Sequence, residues 1–175
     1  MYIKIDNEYM DGELNLLSDL LSLLDGQIHA VRLSMLRSIP PESEGLADRG
    51  EYFVGVGFAA IQQYLNDTLT LTGVIKRQAF DIGPRYSMKF SFISVVNAAA
   101  NWWKHSSEWV GEGKNNSKLA MNTQRIVMDV SDSEDYPLSN VLSMLLGTTD
   151  INLSALLPNI ILWRSAIDKE KNELS

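Results

Sequence analysis

A chain of 175 residues, 45% apolar and 21% charged, has the make-up of a globular protein able to bury about 70% of its unfolded surface, not that of a disordered segment. It has no cysteine, which excludes a disulfide framework and thiolate zinc sites and fits a reducing compartment. The net charge of −7 argues against a generally adhesive nucleic-acid binder.

The N-terminus, M-Y-I-K-I-D-N-E-Y-M-D, is acidic where a secretory signal is basic and then apolar. Met1 to Ile5 alternates weakly and reads as a short strand or extended arm. From Asp11 to about Arg37, Leu14, Leu17, Leu20 or Leu21, Leu24, Ile28, Val31 and Met35 recur at spacings of three and four, which predicts one long helix. Asn15, Ser18, Asp19 and Ser22 interrupt its leucine-rich part, so no membrane span is expected. Asp25-Gly26 marks a possible kink, and S-I-P-P-E-S-E-G ends the helix.

A second helix is predicted from Glu51 to about Leu71, with Phe53, Val54, Phe58, Ile61, Tyr64 or Leu65, and Leu69 facing inward. Val74 to Met88, with its turn-like F-D-I-G-P-R-Y, reads as a connection to a central helix over Ser91–Trp109. The loop G-E-G-K-N-N-S follows, with Ser117 as N-cap of a helix over Leu119–Val130. Beyond S-D-S-E-D-Y-P, Pro137 opens a helix to about Leu146. After the G-T-T-D-I-N-L loop, Ser154 opens a last helix through Pro158 and Trp163 to a charged tail. These elements predict an all-α protein: one domain, a five- or six-helix antiparallel bundle over residues 10–170 behind an extended arm over 1–9.

The central helix is the unusual one. At about 100° per residue, Ser94, Asn97, Asn101, Lys104, His105 and Glu108 fall on one polar stripe roughly 100° wide. Phe92, Ile93, Val95, Val96, Ala98, Ala99, Ala100, Trp102 and Trp103 fill the rest, the inverse of an ordinary surface helix. Residues 1–51 carry four basic against ten acidic side chains, and residues 126–175 three against eight. Residues 52–125 carry eight against four, so the one basic segment contains this stripe.

G-V-G-F-A-A at Gly55–Ala60 matches a dinucleotide-binding glycine pattern, yet no buried strand precedes it and no acidic residue lies near position 75. Small residues allowing close helix packing explain it better. His29 and His105 lie on different helices without a partner at metal-ligand spacing, so neither a metal nor another cofactor is expected. No G-x-S-x-G elbow is present to expose a serine nucleophile. His105 remains as the side chain suited to proton transfer, with Asn101 one turn before it, Glu108 one turn after, and Lys104 beside it to stabilise negative charge. Trp102 could line the site or stack on a base.

A-N-W-W-K-H-S-S-E-W on a late bundle helix resembles the HEPN superfamily (higher eukaryote and prokaryote nucleotide-binding domains), whose active members carry Arg, a polar residue, three further residues and His. Y-P-L-S-N-V-L and L-P-N-I-I-L-W-R also look like bacterial relatives of that group. Asn101 matches the polar position and His105 the histidine, while Ala100 stands in the arginine's place. Lys104, four residues on, or Arg85 or Lys89 upstream, are the possible substitutes, lysine as a point charge and not a fork.

The resemblance implies a helical homodimer with a composite cleft and metal-independent RNA cleavage, in a defence, stress or toxin–antitoxin setting. It makes His105, Asn101 and Lys104 the catalytic candidates, and adds Arg85, Lys89, Asn97, Trp102 and Glu108 as substrate-binding ones. The expectation is a cytoplasmic protein that binds RNA or a nucleotide and has no membrane partner. The competing expectation is a non-catalytic dimeric interaction module, in which the stripe is a buried polar seam and the acidic surface meets an antitoxin-like protein partner.

Overall fold

The computed structural model describes residues 2–5, 8–38, 45–70, 72–109 and 117–173. Among them the architecture is all-α helical packing, joined by one antiparallel hairpin. Strand β1 (Tyr2–Ile5) pairs with β2 (Glu8–Asp11), Tyr2 opposite Asp11 and Ile5 opposite Glu8. The extended N-terminus is therefore folded back on itself, through a second strand that the alternation in Met1–Ile5 alone did not reveal.

Helix α1 (Gly12–Arg37) runs unbroken through Asp25-Gly26. Asp11 caps it, its carboxylate accepting the Leu14 N–H at 3.0 Å. Leu17, Leu21, Leu24, Ile28 and Val31 form its buried face; Leu21 takes the inward position and Leu20 stays partly exposed. Helix α2 (Leu46–Thr70) starts five residues before the expected Glu51. The proline-rich stretch over 39–44 and the loop over 110–116 lie outside the described residues. The connection holds a one-turn helix, α3 (Lys76–Ala79).

Helix α4 (Phe92–Trp109) buries Phe92, Ile93, Val95, Val96, Ala98, Ala99 and Ala100. At its start the Ser91 hydroxyl accepts the Ser94 N–H at 3.0 Å and donates to the Phe80 carbonyl. Helices α5 (Lys118–Ser131) and α6 (Pro137–Leu146) begin as expected, the first on Ser117, whose hydroxyl accepts the Ala120 N–H at 3.1 Å, the second on Pro137. Ser154 does not open the last helix. It lies inside a 3-10 turn, Leu153–Leu156, that feeds α7 (Leu157–Glu173).

Two helix starts are capped by carboxylates from distant helices. Asp25 accepts the Leu153 and Ser154 N–H groups at 2.5 and 3.1 Å. Glu51 accepts the Leu138 and Ser139 N–H groups and the Ser139 hydroxyl at 2.7, 2.9 and 2.6 Å. An acidic group at these positive helix ends satisfies orphan donors and complements the dipole.

α2 is the hub. It packs on α1, α4 and α6, and its two glycines are the slots that let neighbours in. A Cβ at Gly55 would overlap the Trp103 indole, and one at Gly57 the buried Leu153 side chain. G-V-G-F-A-A is thus a close-packing device within a continuous helix. Further along α2, the Tyr64 hydroxyl donates to Asp11 Oδ2 at 2.6 Å, and Arg164 of α7 pairs with the same oxygen at 2.6 Å. Burial pushes the Asp11 carboxyl up, but the bonds from Tyr64, Leu14 and Arg164 outweigh it and hold it below the ordinary aspartate value. Burial and the neighbouring carboxylate push the Tyr64 phenol up.

The Asp11→Ala change leaves the Arg164 charge buried beside Tyr64 and is expected to cost about 3–5 kcal/mol in chemical denaturation. Because Asp11 has a depressed pKa when folded, its contribution is complete above the unfolded value of about 3.9 and is lost as pH falls below it. The Asp11→Asn variant should lack that part of the acid dependence of the denaturation midpoint. The glycines offer a paired test. Gly26→Ala, with open space around its Cβ position, should stabilise by about 0.5–1 kcal/mol. Gly55→Ala should destabilise by about 1–3 kcal/mol despite the same propensity gain, because the rigid indole beneath it cannot yield.

Candidate functional site

The polar stripe of α4 faces α2, and a glutamine of α2 runs along it. Gln62 is 4% exposed. Its Nε2 donates to Asn97 Oδ1 at 2.8 Å and Asn101 Oδ1 at 2.9 Å, and its Oε1 accepts from Lys104 Nζ at 2.5 Å. One amide thus uses donor and acceptor ends to tie three of the expected site residues together. Ser94 turns back to its own helix, its hydroxyl donating to the Ser91 carbonyl at 2.8 Å. Gln62 was visible in the sequence as a polar residue in register with Phe58, Leu65 and Leu69, but its partner was not.

Lys104 sits near a second cation. Burial first, then the Lys104 charge, pull the Lys76 ammonium below its ordinary value, and Lys76 Nζ lies 5.2 Å from the Phe80 ring centre. Ala100, in the arginine's place of the HEPN pattern, is fully buried and faces the core. Lys104 is committed to Gln62, and among the described residues no lysine or arginine lines the cavity beside His105.

His105 stands outside the Gln62 bridge. Its Nδ1 lies 3.2 Å from Glu108 Oε1, its side chain is 45% exposed, and its ring stacks near Trp109 at 6.5 Å between centres. Trp109 also meets Trp102 edge-on at 5.9 Å. Asn101, His105, Glu108 and Trp109 line a cavity of about 240 Å³ whose far wall is the start of α5, with Ser117 and Thr123. What this group can do is limited: a histidine–carboxylate pair can hold or pass a proton, beside the orphan N–H groups of a helix N-terminus.

The remaining expected residues lie elsewhere. Trp102 lines a different and larger cleft, together with Trp103, between α4, the start of α2 and the loop before α6. Arg85 donates to the Met88 carbonyl at 3.0 Å, and Lys89 lies 4.0 Å from Asp129. Both are in the segment before α4, so His105 is about 20 Å away at a rise of 1.5 Å per residue. The eight residues therefore divide into a bridged seam (Asn97, Asn101, Lys104), an exposed pair (His105, Glu108), an aromatic wall (Trp102) and two distant cations. Among the described residues no group of three or more His, Cys, Asp or Glu is arranged to hold a metal, and no helix is long and apolar enough to cross a membrane.

The chain matches no protein-family model, no curated protein and no solved structure.

The Gln62→Leu change keeps the volume but strands the Asn97 and Asn101 oxygens, and should cost about 1–3 kcal/mol in thermal or urea unfolding. His105→Ala, at a half-exposed position, should stay within about 0.5 kcal/mol of the parent. Equal losses from the two would mean that His105 belongs to the same seam.

Proposed function

We propose that this chain is a cytoplasmic, non-catalytic interaction module: a helical homodimer whose acidic surface meets a protein partner of the antitoxin type. The observation that carries this is the Gln62 bridge. It occupies Asn97, Asn101 and Lys104 from inside the molecule, as a structural seam requires and a substrate site does not. A polar network built on a buried glutamine fixes which faces of two helices meet. The excess of 22 acidic over 15 basic side chains favours basic protein surfaces as partners.

One observation favours a second reading. His105 and Glu108 lie outside the bridge, on a cavity closed by the α5 N-terminus. In that reading the chain is a HEPN-like protein that binds RNA or a nucleotide there and cleaves RNA without metal, His105 taking the proton of the attacking 2′-hydroxyl. Its weakness is charge: among the described residues, the neighbours of His105 on the cavity wall include a carboxylate and no cation.

Incubating the purified chain with mixed RNAs in EDTA, beside the His105→Ala and Lys104→Ala variants, separates the two. The expected result is intact RNA throughout. Cleavage by the parent that the His105→Ala variant lacks would overturn the module in favour of the nuclease. Sedimentation should give the mass of a dimer, and a monomer at micromolar concentration would remove the homodimer from the proposal.

A further inference from the structure

An open cleft of about 560 Å³ lies between the C-terminal turns of α4, the first turns of α2 and the loop leading into α6. Its floor and walls are Trp102, Trp103 and Tyr136, all at least partly accessible. Asp48, Glu134 and Asp135 stand exposed at its edge. Among the described residues no lysine, arginine or histidine lines it. The one further carboxylate, Glu51, already serves the start of α6. Aromatic faces under a negative rim attract cations through the ring quadrupole and through charge.

We propose that this cleft takes an arginine side chain of a basic segment on a partner protein, its guanidinium laid on the tryptophan wall and paired with the rim carboxylates. Arginine suits it better than lysine, because a planar, weakly hydrated guanidinium both stacks on indole and bonds carboxylates in pairs.

The site is built ahead of its ligand. Trp103 is seated in the Gly55 slot and braced edge-on by Tyr52 at 4.8 Å between ring centres. The loop carrying Glu134, Asp135 and Tyr136 is bounded by the only two non-glycine residues with left-handed backbones among those described, Asp132 at φ 53° and Tyr136 at φ 50°. The Asn140 amide donates to the Asp135 carbonyl at 2.9 Å and the Ser131 hydroxyl to the Ser133 carbonyl at 2.8 Å, which holds that conformation. Preorganisation of this kind lowers the ordering cost of binding.

The proposal rests on the interaction-module reading, and the two fail separately. RNA cleavage that depends on His105 refutes the module, whereas failure of peptide binding in an RNA-inert chain refutes the cleft alone.

The test is titration calorimetry of the full chain with a short acetylated, amidated peptide of alternating arginine and glycine. Lysine–glycine and citrulline–glycine versions of the peptide are the comparison arms. The arginine peptide should bind, with lysine weaker and neutral citrulline showing no binding. The Glu134→Gln/Asp135→Asn double variant, confined to exposed side chains, should weaken it by about tenfold, and Trp102→Leu by a similar factor. The Asp19→Asn/Asp67→Asn variant, outside the cleft, should leave affinity unchanged. No binding, or an equal loss in both acidic double variants, would overturn the site as nonspecific charge attraction. Equal binding of citrulline would make it an apolar groove, and tighter lysine binding would remove the guanidinium assignment.

Discussion

The carboxylate of Asp11 is the point on which three helices are registered. One oxygen caps α1 through Leu14, while the other receives the Tyr64 hydroxyl of α2 and the Arg164 guanidinium of α7. Tyr64 is 53 residues away in sequence and Arg164 is 153. A buried ion pair of this kind contributes little net stability, since desolvation offsets most of the attraction. Its effect is on alternatives: sliding α2 along α1, or rotating α7, breaks the bonds that Tyr64 and Arg164 make to Asp11.

That registration decides what happens at α4. Tyr64 and Gln62 are two residues apart, so about 200° separates them around α2. With Tyr64 committed to Asp11, Gln62 is turned towards α4, where it spans Asn97, Asn101 and Lys104. Two turns earlier on the same face of α2, Gly55 admits the Trp103 indole, and that close approach sets the aromatic wall of the cleft. The contact between α2 and α4 therefore changes along its length: Gln62 bridges the polar stripe, whereas beside Gly55 the C-terminal turns of α4 border an open, aromatic cleft rimmed with acid.

The same economy recurs at helix starts. Asp25 and Glu51 each lie within one helix and cap another element 128 and 87 residues away. Asp25-Gly26, which resembles a break in α1, is instead a docking point for the last helical segment. Interior carboxylates used in this way tie the order of packing to the satisfaction of backbone donors, since the 3-10 turn and α6 leave their first N–H groups unpaired until α1 and α2 are in place.

Much of the fold was legible in the sequence. Helix periodicity, the Ser117 cap, Pro137 at a first turn and the buried faces of α1 and α2 all follow from local chemistry: 3.6 residues per turn, orphan N–H groups and the fixed φ of proline operate within a few residues. The polar line on α4 was legible too, as was the packing role of the glycine pair. The tertiary structure alone decided what the line is for. Whether Asn97 and Asn101 face a ligand or a neighbour depends on a glutamine 35 and 39 residues away, and whether Trp102 shares a cavity with His105 depends on which helices flank α4. The α2 start at Leu46, the hairpin and the Asp11–Tyr64–Arg164 junction were hidden for the same reason. A side chain's period states which way it points along its own helix, and only packing states what it meets there.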